Sequence, residues 1–299
     1  MSTPPFKLPS FAKINWSLRV LGRRVDGYHE VRTVLQAVSL HDDLHFASRD
    51  NEEIQLSCDD RRIPSDEHNL IIRAANALRD RCHNRNGATI HLEKRIPAQG
   101  GLGGASSNAA VALLGLVHLW RLDFSAAELM EIGAALGADV PFFFVGGRAL
   151  ATGIGTEVKA LPDNPKKHLL VITPNATVST TEAYKSLRAP ALTTSVDASI
   201  LSSSCSASEF RDTDQGELHN DFEHVIFEIE PEIGRANEAL LRCGASAALV
   251  AGSGSSVFGI FDNQQAQASA LRKIQAEAGW RVFPAVTVSR NEYLQALKI

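Results

Sequence analysis

The chain has 299 residues, of which 44% are apolar and 21% charged, with a formal net charge of −4. These proportions exclude disordered, collagen-like and coiled-coil classes, and the acidic balance argues against a nucleic-acid partner, which needs a basic face to displace counterions. Cys58, Cys82, Cys205 and Cys243 lie far apart with no C-x-x-C pair, so neither a zinc site nor a disulfide framework is expected; with no signal-like N-terminus and no long apolar run, the expectation is a cytoplasmic protein without membrane contact.

From Phe11 to Val20, Ala12, Ile14, Trp16, Leu18 and Val20 alternate with Lys13, Asn15, Ser17 and Arg19. This period of two predicts a half-buried strand with Lys13 and Asn15 on the face opposite the core. The turn residues GRRVDG, 22–27, lead into an apolar run from Val31 to Val38, which predicts a hairpin with Tyr28 and His29 where its turn ends. Leu70, Ile71, Ala74, Ala75 and Leu78 predict a helix near 69–78, followed by a strand at 88–92. PAQGGLGGASSNAA, 97–110, then opens a helix reaching about Trp120 that is apolar on nearly every side and so should be buried. Ser125 and Glu128 form a capping box for the next helix, which Gly137 ends, and Asp139 follows just before Pro141.

In the second half, LLVIT predicts a strand at 168–173, and a helix is expected over 179–187. Residues 190–216 are serine-rich and without periodicity, which predicts a mobile surface loop. Helices near 220–229 and 231–243, strands at 247–251 and 256–261, a helix at 264–278 and a closing strand at 280–286 complete the expected order. This order predicts an α+β protein of two domains, 1–160 and 161–299, rather than a regularly alternating parallel sheet.

Gly100, Gly101, Gly103 and Gly104 stand between a predicted strand and the start of a buried helix. A lone glycine pair would read as a flexible turn. Four glycines in this context make a nest of backbone N–H groups at a helix N-terminus, for which phosphate is the natural guest. The loop is not a P-loop, because Ala105 stands where lysine is required, and a G-x-G-x-x-G starting at Gly101 fails at Ser106. Pro97, Gly101, Leu102, Gly103, Ala105, Ser106 and Ser107 do resemble the nucleotide-binding motif of the GHMP kinases. Segments 12–38 (with Asp26-Gly27-Tyr28-His29), 137–158, HNDFE at 219–223 and the glycine-rich 252–261 are similar to the diphosphocytidyl-methylerythritol kinase branch of that superfamily. Gln99, where the branch often has glycine or another small residue, and the 190–216 loop depart from it.

The resemblance implies a GHMP kinase fold: a ribosomal-S5-domain-2-like β-α-β N-terminal domain and a ferredoxin-like α/β sandwich after it. It implies an ATP-dependent kinase that phosphorylates the 2-hydroxyl of 4-diphosphocytidyl-2-C-methyl-D-erythritol in the non-mevalonate route to isoprenoids. Lys13 and Asp139 fall on the positions of the catalytic pair; from the residues alone they would read as a solvated strand lysine and a turn-capping aspartate. The resemblance places Asn69, Leu70 and Lys94 near adenine, and Pro97, Gly100, Gly101, Leu102, Gly103, Gly104, Ala105, Ser106 and Ser107 around the phosphates of ATP. Asn15, Tyr28, His29 and Tyr184 would hold the acceptor, the two tyrosine rings stacking on cytosine while His29 reads its edge. Mg²⁺ is expected to arrive with ATP, with at most one oxygen from Ser106 or Ser107 and no dedicated protein metal site, and the protein to be a monomer or weak homodimer. A homoserine- or mevalonate-type kinase and a non-catalytic module of the same fold are the competing readings.

Overall fold

A computed structural model describes residues 3–83, 86–192 and 218–298. Two long strands, β1 (Phe6–Arg23) and β2 (His29–Arg49), form the antiparallel hairpin that organises the first half. Both run further than the predicted 11–20 and 31–38, because Leu8, Leu44 and Phe46 extend the buried stripe beyond the central segment. Their register shifts between Phe11 and Ala12 and again between Asn15 and Ser17. Irregularities of this kind re-aim side chains, and here they bracket Lys13 and Asn15.

β3 (Ile54–Cys58), β4 (Gly87–Glu93) and the two-residue β8 (His219–Asn220) complete the order β3-β4-β2-β1-β8, and β5 (Arg148–Thr152) and β6 (Glu157–Ala160) continue the sheet from β2. The helices α1 (Leu70–Cys82), α2 (Gly104–Trp120) and α3 (Ala126–Leu136) pack with this sheet in one apolar cluster. As expected from its all-round apolar surface, α2 is buried from Ser107 through Leu113, and the Ser125–Glu128 capping box opens α3. The run after Pro141 forms a short helix, α4 (Phe142–Val145).

β7 (His168–Pro174), β9 (Ala247–Val250), β10 (Val257–Phe261) and β11 (Trp280–Val286) make a second, antiparallel sheet in the order β11-β7-β10-β9. With it pack α5 (Thr180–Leu187), α6 (Glu223–Ile229), α7 (Pro231–Arg242) and α8 (Gln264–Ile274). A third apolar cluster joins the sheets, with Ala12, Ile14 and Trp16 of β1 meeting Leu169, Val171, Phe258 and Ile260.

The structure corrects the sequence reading in three places. Lys13 and Asn15 do point away from Ala12 and Ile14, but their face is not open: each is only 4% exposed, so β1 is buried on both sides here. β3, β5 and β6 were not expected; each has only four or five residues. The chain closes not with β11 but with α9 (Arg290–Ala296), which returns to the first sheet, where the buried Tyr293 donates its hydroxyl to Phe143 O at 2.7 Å. Of the predicted serine-rich loop, only 190–192 lie within the described residues; Leu192 N donates to Arg23 O, and the rest lies outside them. Among the described residues, no helix is long and apolar enough to cross a membrane.

Candidate active site

Between the hairpin, the start of α2 and α5 lies a cleft of about 830 Å³. Its floor is built by β1. The Lys13 ammonium donates to Asn15 Oδ1 at 2.9 Å and lies 3.5 Å from Asp139 Oδ2. Asn15 in turn donates to Thr33 Oγ1 at 2.8 Å, and Thr33 donates to Ser17 O at 2.7 Å. This chain of bonds fixes the lysine's position and leaves the more exposed Asp139, its side chain 40% accessible, facing the cleft. A buried cation beside a half-exposed carboxylate can neutralise negative charge arriving over the pair.

The glycine loop forms the adjoining wall. Gly103 is the cap residue of α2 with φ of +69° and no side-chain capping bond, so the first N–H groups of the helix are open to an acceptor. A Cβ on Gly103 would lie 2.9 Å from both Lys13 Cγ and the Phe143 ring, which ties the loop's shape to the lysine. Gly101 serves differently. Its φ is +76°, and an added Cβ would lie 1.8 Å from Ala251 O, because a second glycine-bearing turn, 251–256, packs backbone to backbone against it. Ser256 N donates to Gly100 O at 3.1 Å across the same contact. Gln99, the departure from the family pattern, has a φ of +59°, a conformation in which glycine is ordinarily free of strain.

The other expected nucleotide residues divide. Ser106, Gly101 and Gly103 line the cleft. Ser107 is fully buried, with Ser10 Oγ 2.7 Å from its hydroxyl, and Leu102 is buried with its carbonyl accepting from Lys13 N at 2.9 Å. Pro97 is buried as well, and Ala105 is exposed on the first turn of α2. Gly104 begins α2 and lies against Ile96 and Lys94. Asn69 caps α1, its Oδ1 accepting from Ile71 N at 2.9 Å, with the half-buried Leu70 next to it. Lys94 is paired with the buried Asp42 at 2.8 Å.

At the other end of the cleft the hairpin turn is braced by Arg24, which reaches Asp26 at 3.1 Å and the buried Glu30 at 2.8 Å. Tyr28 stands 62% exposed at the cleft mouth. Tyr184, on α5, packs its ring against His29 at a centroid distance of 4.5 Å and edge-on against Phe222 at 4.7 Å. Tyr184 thus faces the His29 ring, while Tyr28 stands at the mouth of the same cleft. Burial pushes the Tyr184 phenol up to about 12, helped by the Asp139 charge, so the hydroxyl is neutral across the physiological range. Burial, with the Arg23 charge second, lowers the His29 pKa, so its ring is neutral at pH 7 and able both to donate and to accept.

Sequence reasoning did not single out Thr33, Thr180, Thr181, Gly252 or Ser253, which also line the cleft. The signal for the last two was present in the glycine-rich 252–256 stretch. Thr33 alternates with the buried Val34 on β2, a pattern shared with any strand, and so was not distinctive.

Comparison with known proteins decides between the kinase branches. A family model for the GHMP kinase N-terminal domain matches residues 69–147 and one for the C-terminal domain matches 206–279. The 4-diphosphocytidyl-2-C-methyl-D-erythritol kinase of Syntrophus aciditrophicus is 43% identical over 280 residues, 93% of this chain and 97% of that protein. The chain belongs to this kinase family. The enzyme of the same name from Syntrophotalea carbinolica is 41% identical over 91% of the chain and 95% of its own length. A crystal structure of a 4-(cytidine 5'-diphospho)-2C-methyl-D-erythritol kinase matches with a TM-score of 0.75 at 30% identity, covering 94% of this chain and 99% of that one. A homoserine kinase from Cytophaga hutchinsonii, at 19% identity and a TM-score of 0.70, shares the fold. The GHMP kinase fold expected from the glycine loop is therefore the fold of this chain, and membership of the 4-diphosphocytidyl-2-C-methyl-D-erythritol kinase family makes it an ATP-dependent small-molecule kinase.

Proposed function

We infer that this kinase transfers the γ-phosphoryl group of ATP to the 2-hydroxyl of 4-diphosphocytidyl-2-C-methyl-D-erythritol, with Asp139 and Lys13 as the catalytic pair. The observation that carries the assignment of roles is the 3.5 Å pair at the cleft floor, with the open N-terminus of α2 on one side and the His29–Tyr184 contact on the other. Phosphoryl transfer passes through a loose transition state that rewards alignment and charge neutralisation more than strong basicity. Asp139 accepts a hydrogen bond from the acceptor hydroxyl, orients its oxygen in line with the γ-phosphorus, and takes the proton on a carboxylate oxygen as the new O–P bond forms. The bond from the γ-phosphorus to the β,γ-bridging oxygen breaks in the same step, releasing ADP. Lys13, 3.5 Å from that carboxylate, balances the charge of the transferring group. Asn15 holds Lys13 in place, and Tyr28, His29 and Tyr184 receive the cytosine.

The start of α2 fits the nucleotide phosphates, with backbone N–H groups from the glycine loop and the hydroxyl of Ser106. We propose that Mg²⁺ enters with ATP, where it neutralises phosphate charge, and that Ser106 is the side-chain oxygen placed to meet it, since Ser107 is already bonded to Ser10. We also propose a cytoplasmic monomer or weak homodimer, divided near residues 160 and 161 into a part bearing the glycine loop and a part completing the cleft. Steady-state assays with ATP and this acceptor, beside homoserine and mevalonate, test the reading: turnover confined to the cytidine-bearing acceptor supports it, and turnover on a plain alcohol alone refutes it.

A further inference from the structure

Asn220 lies in the HNDFE segment, where none of the chemistry above needs it, yet it is 3% exposed with all of its side-chain polar atoms engaged. Its Nδ2 donates to Val250 O at 2.9 Å and to Gly252 O at 2.8 Å. Its Oδ1 accepts from Phe222 N at 3.0 Å, and the Phe222 ring is the edge on which Tyr184 rests. The backbone of the segment is fixed independently: His219 and Asn220 pair in parallel with Ser17 and Leu18, Asp221 N donates to Leu18 O at 3.0 Å, and Asp221 Oδ2 accepts from Val20 N at 2.6 Å. Asn220 thus stands on β8, paired beside the strand that carries Lys13, and grips the turn opposite.

That turn reaches the cleft at its most crowded point. A Cβ on Gly252 would lie 3.3 Å from Lys13 Nζ, from Asn15 Oδ1 and from Gly101 O. Gly252 and Ser253 line the cleft, and Ser253 Oγ donates to Thr180 Oγ1 at 3.3 Å, at the start of the helix bearing Tyr184. A shift of the turn away from β1 would therefore loosen the glycine loop, open space beside Lys13 and move the Tyr184 wall together.

We propose that Asn220 is a positioning residue for phosphoryl transfer, locking the 250–253 turn and Phe222 to β1 so that Lys13, the glycine loop and the Tyr184 wall keep one spacing. The proposal rests on the kinase reading above. An amide suits the place because it offers two N–H groups to two carbonyls and one oxygen to an N–H; a carboxylate would set negative oxygen against the Val250 and Gly252 carbonyls.

The test uses the full chain and its Asn220→Ala, Asn220→Asp and Asn220→Ser variants, assayed well below their melting temperatures with turnover expressed per folded molecule. Small misplacements of reacting groups cost up to about a hundredfold. The expected result is a fall in kcat of at least about tenfold for Asn220→Asp, with KM for the acceptor within about threefold of wild type, and a smaller fall for Asn220→Ser, which keeps one donor. A role in folding alone would lower the melting temperature and leave kcat per folded molecule unchanged. If Asn220→Asp does not fold, the same split is read from Asn220→Ser and Asn220→Ala. Wild-type kcat in the folded variants overturns the proposal, whereas a wild-type chain that does not phosphorylate the cytidine-bearing acceptor overturns the kinase reading.

Discussion

The two ends of the cleft are built on opposite plans. At the floor, Lys13 and Asn15 are polar residues buried on a central strand, cross-braced to Thr33 and wedged by Gly103. At the mouth, Tyr28 is mostly exposed on a turn held by an Arg24 ion-pair set that is itself partly solvated. Burying an ammonium is costly unless it is paired and hydrogen-bonded, so the floor holds a charge in one geometry at the expense of adaptability. The mouth relies instead on ring contacts, His29 lying against Tyr184.

If the floor is rigid chemistry and the mouth adaptable recognition, substitutions should separate by which kinetic constant they move. The largest effect is expected from Asp139→Asn and Lys13→Met, each lowering kcat by about a hundredfold or more with little change in acceptor KM. Rapid-quench measurement of the chemical step would expose the error if either variant stayed near wild type.

Gly103→Val comes next. At φ +69°, with Lys13 and Phe143 within 2.9 Å of the added carbon, a β-branched residue should weaken ATP binding and also displace the lysine, lowering both ATP affinity and kcat by about tenfold or more. Calorimetry of ATP binding beside turnover separates the two losses; unchanged ATP affinity in a folded variant would remove this loop from the nucleotide site.

At the mouth, Tyr184→Ala should cost about 1–3 kcal/mol of acceptor binding and Tyr28→Ala about 1 kcal/mol, the range for losing a stacking partner, with kcat largely kept. His29→Ala should narrow the preference for cytidine over uridine acceptors, because a ring that pairs with the base edge penalises an analogue leaving it unpaired. Equal use of both acceptors by the wild type would end this account of the mouth. The smallest effect belongs to Arg24→Ala, a rise of a few-fold in acceptor KM, since a partly solvated ion pair contributes little on its own.

Much of this arrangement is legible in the residues, and its gaps have physical causes. Period two in β1 placed Lys13 and Asn15 on one face, but a sequence pattern cannot tell a solvated face from one closed by a second sheet, so their burial was missed. The glycine run marked the loop that opens α2; that Gly101 also packs against the Ala251 carbonyl is a tertiary fact 150 residues away in the chain. β5 and β6 are too short for periodicity to rise above turn residues, whereas α9 carried a readable signal in its Ser289–Glu292 capping box. Tyr28 and Tyr184 were legible as aromatics near one site and both line the cleft, but the packing of the His29 ring on Tyr184 is a tertiary contact that the sequence does not display.

The most direct test of the central claim is mass spectrometry of 4-diphosphocytidyl-2-C-methyl-D-erythritol incubated with ATP, Mg²⁺ and either the wild-type chain or Asp139→Asn. The account predicts one added phosphate, on the 2-hydroxyl, accumulating with the wild type and formed at least about a hundredfold more slowly by the variant. No added phosphate with the wild type, or equal rates for the two proteins with chemistry rate-limiting, would contradict it.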